Sequence, residues 1–227
     1  YLRSICDKYL NDVEVEVILP ITLKKRYCDE NVRFKAHFVD FYPFELDSLN
    51  RRRANTEIVT ILRSVKADIV LFGYIRSHPE AGFMYKKIRP DSILGLFTHA
   101  KEVFLDRAVV ENNNVRGSHS GYLVKEVPFY KDVLIKVDLL FSVSKYTKGL
   151  LVRQGIHREI VVVHPSIKVP DSTDKVSSRE KLGLGKGIVL ISVGRLIKRK
   201  GHDKIINSLA YLAKSHSIIY LILGSGP

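Results

Sequence analysis

Between Val193 and Lys204 the chain reads VGRLIKRKGHDK, placing Gly194, Arg195, Lys198, Arg199, Lys200 and Gly201 between the aliphatic run Ile188–Val193 and an apolar periodic segment that begins at Ile205. Cations packed this closely repel one another unless an anion sits among them or water solvates each one. A diphosphate suits the spacing. Arg195 follows a strand-like run and Lys200 precedes a helix-like one, so a guanidinium fork, an ammonium and a helix N-terminus would converge on the same oxygens. The two glycines fit as well, because a backbone that closely approaches phosphate has no room for a Cβ. Lys198 and Arg199 read as solvated loop cations. A nicotinamide site fits worse: no G-x-G-x-x-G occupies the strand-to-helix turn, and GSGP at 224–227 puts Pro227 where a helix would open.

Other candidates are few. His99 ends the strand-like Ile93–Phe97 segment, where ligands gather in open α/β sheets, although a capping or half-buried structural histidine would sit there too. Ser144 also follows a strand, and at a helix start it reads as an N-cap. The two cysteines, Cys6 and Cys28, have neither metal spacing nor the density of a disulfide framework and are read as inert thiols in a reducing compartment. No metal site is expected. No run reaches the roughly 18 apolar residues of a membrane span and no signal-peptide pattern opens the chain, so the expected location is cytoplasmic.

Composition sets the frame for these residues. The 227 residues are 45% hydrophobic and 27% charged, ordinary for a globular protein. Lys and Arg number 37 against 24 Asp and Glu, a net charge of +13 that favours an anionic partner. The chain starts at Tyr1 and its only methionine is Met84, which suggests a missing beginning.

Short β-type runs alternate with helical patterns. Strands are expected at Val13–Leu19, Val32–Phe41, Ile69–Phe72, Ile93–Phe97, Leu139–Val143 and Ile160–Val163, with helices at Ser48–Val65 and Ser144–Gln154, the second capped by Gly155. Such alternation implies parallel sheets flanked by helices. Residues 167–187, poor in large apolar groups and rich in Ser, Lys, Gly and Asp, read as a linker. A second β-α-β follows: Ile188–Val193, a helix over His202–Ser215, and Ile218–Leu223. One such unit leaves its sheet poorly covered, so the second domain is expected to be incomplete.

VGRLIKRKGHDKIINSLAYL followed by YLILGSGP resembles the nucleotide-sugar-binding domain of GT-B glycosyltransferases, specifically the retaining family 4 enzymes. More loosely, ILGLFTHAKEVF, LFSVSKYTKGLLVRQGI and EIVVVHPSIKV are similar to that family's acceptor-side strand with its histidine, its last N-domain strand and helix, and its crossover. The resemblance implies a GT-B fold of two Rossmann-like domains: 1–166 on the acceptor side, without its first strand, a linker at 167–187, and 188–227 as the start of the donor domain. It implies transfer of a sugar from a nucleotide sugar to a lipid-linked or cell-surface glycan precursor with retention of anomeric configuration. Arg195 and Lys200, with Gly194 and Gly201, would bind the donor diphosphate, His99 would face the transferred sugar, and no cofactor or metal would be required. The family's acidic pair would lie beyond Pro227, so this chain alone is expected to be inactive.

Two other classes compete. A basic phosphate- or nucleic-acid-binding module without transferase activity would explain the charge, yet LKKR, NRRR, YKKIR and IKRKG are scattered and match no nucleic-acid motif, so nucleic acid is not expected as a partner. A sugar-nucleotide epimerase or other Rossmann oxidoreductase would need the cofactor fingerprint that is missing. Under the transferase reading, Lys24–Arg26, Arg51–Arg53 and Lys86–Arg89 could hold the acceptor-side domain against anionic headgroups at the inner face of a membrane.

Overall fold

The computed structural model describes residues 13–25, 34–41, 48–99, 120–165 and 174–226. Cys6, Cys28, Arg26, Pro227 and the first part of the expected linker lie outside these residues. The chain is α/β with parallel sheets, and it divides into two compact units, Tyr1–Ile167 and Lys168–Pro227.

In the first unit, β1 (Glu16–Pro20) pairs in parallel with β2 (Lys35–Val39). A second sheet runs β3 (Ile69–Phe72), β4 (Ile93–Thr98), β5 (Leu139–Ser142) and β6 (Val161–Val162), all parallel and in sequence order. Helix α1 (Leu49–Val65) leads into β3; α2 (Pro79–Ile88), α3 (Ser120–Lys136) and α4 (Lys145–Arg153) are the three crossovers. Each crossover steps the same way across the sheet. Right-handedness therefore puts all three helices on one face.

Burial follows that rule. Val70, Phe72, Leu94, Leu96 and Leu140 point into one core with Ala81, Tyr85, Val133, Leu134 and Leu151 from the helices. Their alternates Ile69, Leu71, Ile93, Leu139 and Val161 face the other way and are exposed, Ile69 and Leu71 at 54% each. Contact on the helix side is tight: a Cβ on Gly82 of α2 would lie 2.5 Å from the Phe72 ring.

Capping signals placed the helix starts well. Ser48 accepts from the Arg51 N–H at 3.2 Å and Ser144 from the Thr147 N–H at 3.1 Å, so both serines are N-caps, as the sequence implies. Helices α2 and α3 were not anticipated. Helix α2 opens on His78, a left-handed residue at φ 57° rather than a side-chain cap, and α3 carries Pro128 internally. Both features read in sequence as breakers.

Three of the clustered basic residues make ion pairs within the fold. Arg51 is fully buried and its Nε and Nη2 donate to the two carboxylate oxygens of Glu80 at 2.7 and 2.9 Å, tying α1 to the first turn of α2. Lys86 pairs with Asp138, and Arg89 with Asp68. Arg52, Arg53 and Lys87 remain exposed. One turn along α1 from Arg51, Asn55 Oδ1 lies 2.6 Å from Nδ1 of His78. Oδ1 can only accept, so Nδ1 is the donor.

The second unit contains α5 (Lys175–Lys181), capped by Asp174, within the segment expected as a linker. Strands β7 (Ile188–Val193) and β8 (Ile218–Leu223) pair in parallel over their full length, joined by α6 (His202–Leu212). Among the described residues none of this unit is fully buried. Ile191, Val193 and Ile206 are exposed.

Burial, and secondarily the charge of Arg51, push the His78 pKa down from 6.5 to about 4. Unfolded, the ring takes a proton near 6.5; folded, it resists until near 4, so the unfolded state binds more protons between these values. Stability is therefore full above about pH 6.5 and falls by up to about 3 kcal/mol as pH drops to about 4. Urea midpoints at pH 7 and pH 4.5 check this: wild type loses stability over that interval, and His78→Asn, whose side chain tolerates φ > 0 and does not titrate, shows a smaller loss.

Candidate functional site

All strands of a parallel sheet end at the same edge, and chemistry-bearing residues of this chain collect at those edges. In the first unit, β4 ends at Thr98, and exposed His99 follows directly. Its Nε2 lies 2.9 Å from the Gly73 carbonyl just beyond β3. A carbonyl only accepts, so Nε2 is the donor in this bond. The loop from Gly73 to His78 is unusual for a connection because Ile75, Arg76 and His78 are buried in it. Arg76 stacks 5.8 Å over the Tyr130 ring and His78 lies 5.0 Å from the Phe41 ring.

In the second unit, β7 runs into Gly194 and Arg195, a short 3-10 turn spans Lys198–Lys200, and Gly201 at φ 70° starts α6. The backbone pairing of β7 and β8 continues past both strands. Gly194 N–H donates to the Leu223 carbonyl and Leu196 N–H to the Ser225 carbonyl, each at 2.9 Å. This close approach explains the GSG sequence: a Cβ on Gly224 would sit 1.9 Å from the Gly194 carbonyl oxygen, and one on Gly226 would sit 2.4 Å from that of Leu196. No side chain larger than hydrogen fits either position.

The stem of Lys200 folds back over Gly194, with Cε and Cδ at 3.7 and 3.8 Å from where a Cβ would be. Lys200, Gly194, Arg195 and Gly201 thus come together at one strand end. Arg195 and Lys200 are exposed, and no side chain of the N-cap residue Gly201 caps α6, whose first-turn amides follow directly on Lys200 in the chain. Lys198 is also exposed, one residue-turn away. His99 belongs to the other unit, so this constellation forms without it.

Sequence reading missed a second layer here. His202, the first residue of α6, places Nε2 3.3 Å from the Arg195 carbonyl, and its Nδ1 lies 3.5 Å from the Tyr220 hydroxyl. Tyr220 in turn donates to Ser192 Oγ at 2.8 Å. These side chains tie the start of α6 to both strands. A tyrosine in an aliphatic strand was the available signal, because its hydroxyl needs a partner. Among the described residues no group of three or more His, Cys, Asp or Glu is placed to hold a metal ion.

No protein-family model matches the chain. Over 165 residues it is 28% identical to the phosphatidylinositol N-acetylglucosaminyltransferase GPI3 subunit of Saccharomyces cerevisiae strain YJM789, covering 67% of this chain and 33% of that protein. The chain is similar to a glycosyltransferase subunit. The same subunit from strain RM11-1a matches at 27% identity with the same coverage. The chain thus spans about a third of the length of these curated relatives. Among solved structures, a putative UDP-N-acetylglucosamine 2-epimerase from Listeria monocytogenes aligns over 96% of this chain and 57% of its own, at 13% identity and TM-score 0.49. The S. aureus MnaA-UDP co-structure aligns over 92% of this chain and 61% of its own, at 15% identity and TM-score 0.43.

The glycine contacts give a direct check on the site's construction. Gly224→Ala must push the backbone off Gly194 and should destabilise the β7–β8 pair by about 1–3 kcal/mol, the usual cost of overpacking. Amide hydrogen exchange over β7 and β8 should accelerate accordingly. Gly185→Ala, where nothing lies within 4 Å of the added carbon, should leave it unchanged.

Proposed function

We propose that this chain is part of a GT-B glycosyltransferase of the retaining family 4 type, which transfers a sugar from a nucleotide sugar to a lipid-linked or cell-surface glycan precursor. The observation that carries this reading is the convergence of Arg195, Lys200, Gly194, Gly201 and the uncapped start of α6 at the end of β7. Breaking the bond between the sugar and its diphosphate leaves negative charge on the departing phosphates. Two exposed cations and a helix N-terminus offset that charge where it develops, which lowers the barrier electrostatically. Similarity to the GPI3 subunit supports both the reaction type and the lipid-linked character of the acceptor.

In this reading residues 1–166 form the acceptor-side domain, 167–187 the connection and 188–227 the beginning of the donor domain. His99 presents its ring to the transferred sugar. Charge compensation falls to the protein's own cations, with neither a cofactor nor a metal ion in the scheme. The enzyme works in the cytoplasm at the inner face of a membrane, where the exposed Arg52, Arg53 and Lys87 contribute attraction to anionic headgroups. No helix among the described residues is long and apolar enough to cross a membrane.

Calorimetric titration with UDP and with GDP tests the donor half. Arg195→Ala and Lys200→Ala should each cost roughly 1.5–3 kcal/mol of affinity, about ten- to a hundredfold, for the loss of one charge-assisted contact. Lys198→Ala and His99→Ala should leave it nearly unchanged. Equal losses for Arg195→Ala, Lys200→Ala and Lys198→Ala would mean a diffuse basic surface, and the transferase reading would lose its main support.

A further inference from the structure

The polar chain behind the end of β7 does more than tie α6 to the sheet, because it reaches the turn that carries both cations. Arg195 and Lys200 lie in a turn bounded by Gly194 and Gly201, and glycine is the residue whose backbone is least restricted. Backbone bonds fix part of this turn. The Leu196 N–H donates to the Ser225 carbonyl at 2.9 Å, the Ile197 N–H to the Arg195 carbonyl at 2.9 Å and the Lys200 N–H to the Ile197 carbonyl at 2.8 Å. The first anchors the Arg195 end beside the continuation of β8. The other two lie within the turn and give it shape without fixing it against α6.

His202 supplies that tie. Its Nε2 lies 3.3 Å from the Arg195 carbonyl, which only accepts, so Nε2 donates from the first residue of α6 back across the mouth of the turn. On the other side of the ring, Nδ1 lies 3.5 Å from the Tyr220 hydroxyl, which donates to Ser192 Oγ at 2.8 Å. Side chains of β8 and β7 therefore brace the ring that holds the turn. The first turn of a helix favours acidic side chains, as at Asp203, and a histidine gains nothing there from the helix itself. With both ring nitrogens directed at groups of the fold, His202 acts on the turn and not on a ligand.

We propose that His202 is a positioning residue for the diphosphate: by holding the Arg195 carbonyl against the start of α6 it sets the spacing between Arg195 and Lys200, so that each cation meets one of two linked phosphates. This rests on the diphosphate reading given above and adds to it the group that makes the pair selective. A diphosphate uses both cations at once only when their spacing matches its own. A monophosphate meets either cation alone and is indifferent to the spacing. Losing the tie therefore costs the preference for two linked phosphates over one, because that preference depends on preorganisation.

Calorimetric titration of the full chain with UDP against UMP, and with GDP against GMP, reads this directly. Wild type should bind the diphosphate of at least one pair more tightly than its monophosphate. His202→Ala, at a half-buried position, should shrink that preference about three- to tenfold, the weight of one hydrogen bond, through loss of diphosphate affinity. His202→Gln, whose side-chain amide reaches as far as Nε2 and donates to the same carbonyl, should restore it. His202→Asn, whose amide stops at the reach of Nδ1, should behave like His202→Ala. An undiminished preference in His202→Ala, or a loss in His202→Gln equal to that in His202→Ala, would overturn the proposal. So would mono- and diphosphate affinities that fall together, the mark of a role in stability alone. Wild type that prefers neither diphosphate would remove the diphosphate reading and the proposal with it, so failure of the reading shows in the wild type and failure of the positioning role in the variants.

Discussion

Parallel pairing is the constraint from which the rest of this structure follows. Because every paired strand runs the same way, each must be reached by a crossover, and right-handed crossovers stepping in one direction put α2, α3 and α4 on one face of the four-stranded sheet. Within each sheet the same constraint brings the strands' carboxyl ends to one edge of that sheet. Loops that leave such edges carry Gly73–His78 and His99 in the first unit and Gly194–Gly201 in the second. Neither constellation would arise from an antiparallel meander, whose loops alternate between edges.

At those edges, the two units solve the placement of a functional group differently. The second unit uses absence: glycines at 224 and 226 let two backbones close to a distance no side chain allows, and Gly201 supplies the left-handed turn that starts α6. The first unit uses a buried polar cluster, in which Arg51, Glu80, Asn55 and His78 satisfy one another beside Phe41 and Tyr130. The first device leaves Arg195 and Lys200 exposed at a strand end. The second draws polar side chains of α1 and of the loop before α2 into the core.

How far the sequence could be read depended on whether each signal was local. Strands β3, β7 and β8 match their expected limits residue for residue, because aliphatic runs bounded by polar or small residues need no tertiary information. The association of Gly194, Arg195, Lys200 and Gly201 was likewise visible, since eight consecutive positions carry it. Contacts spanning the chain were not. Arg51 looked like one of three surface arginines until its partner, 29 residues away, took it into the core. His78 beside Pro79 looked like a turn, and nothing in its neighbours announces Asn55, 23 residues earlier. The helix within 174–182 went unread because a polar, capped, two-turn helix has almost no apolar periodicity.

The central claim is that a diphosphate binds where β7 gives way to α6. Titration of the isotope-labelled chain with UDP, and separately with GDP, followed through backbone amide signals, tests it most directly. The account predicts that the largest shifts fall on Gly194, Arg195 and the amides from Lys200 to Lys204, saturating together as one site. Shifts spread over exposed lysines of both units without saturation, or confined to the first unit, would contradict it.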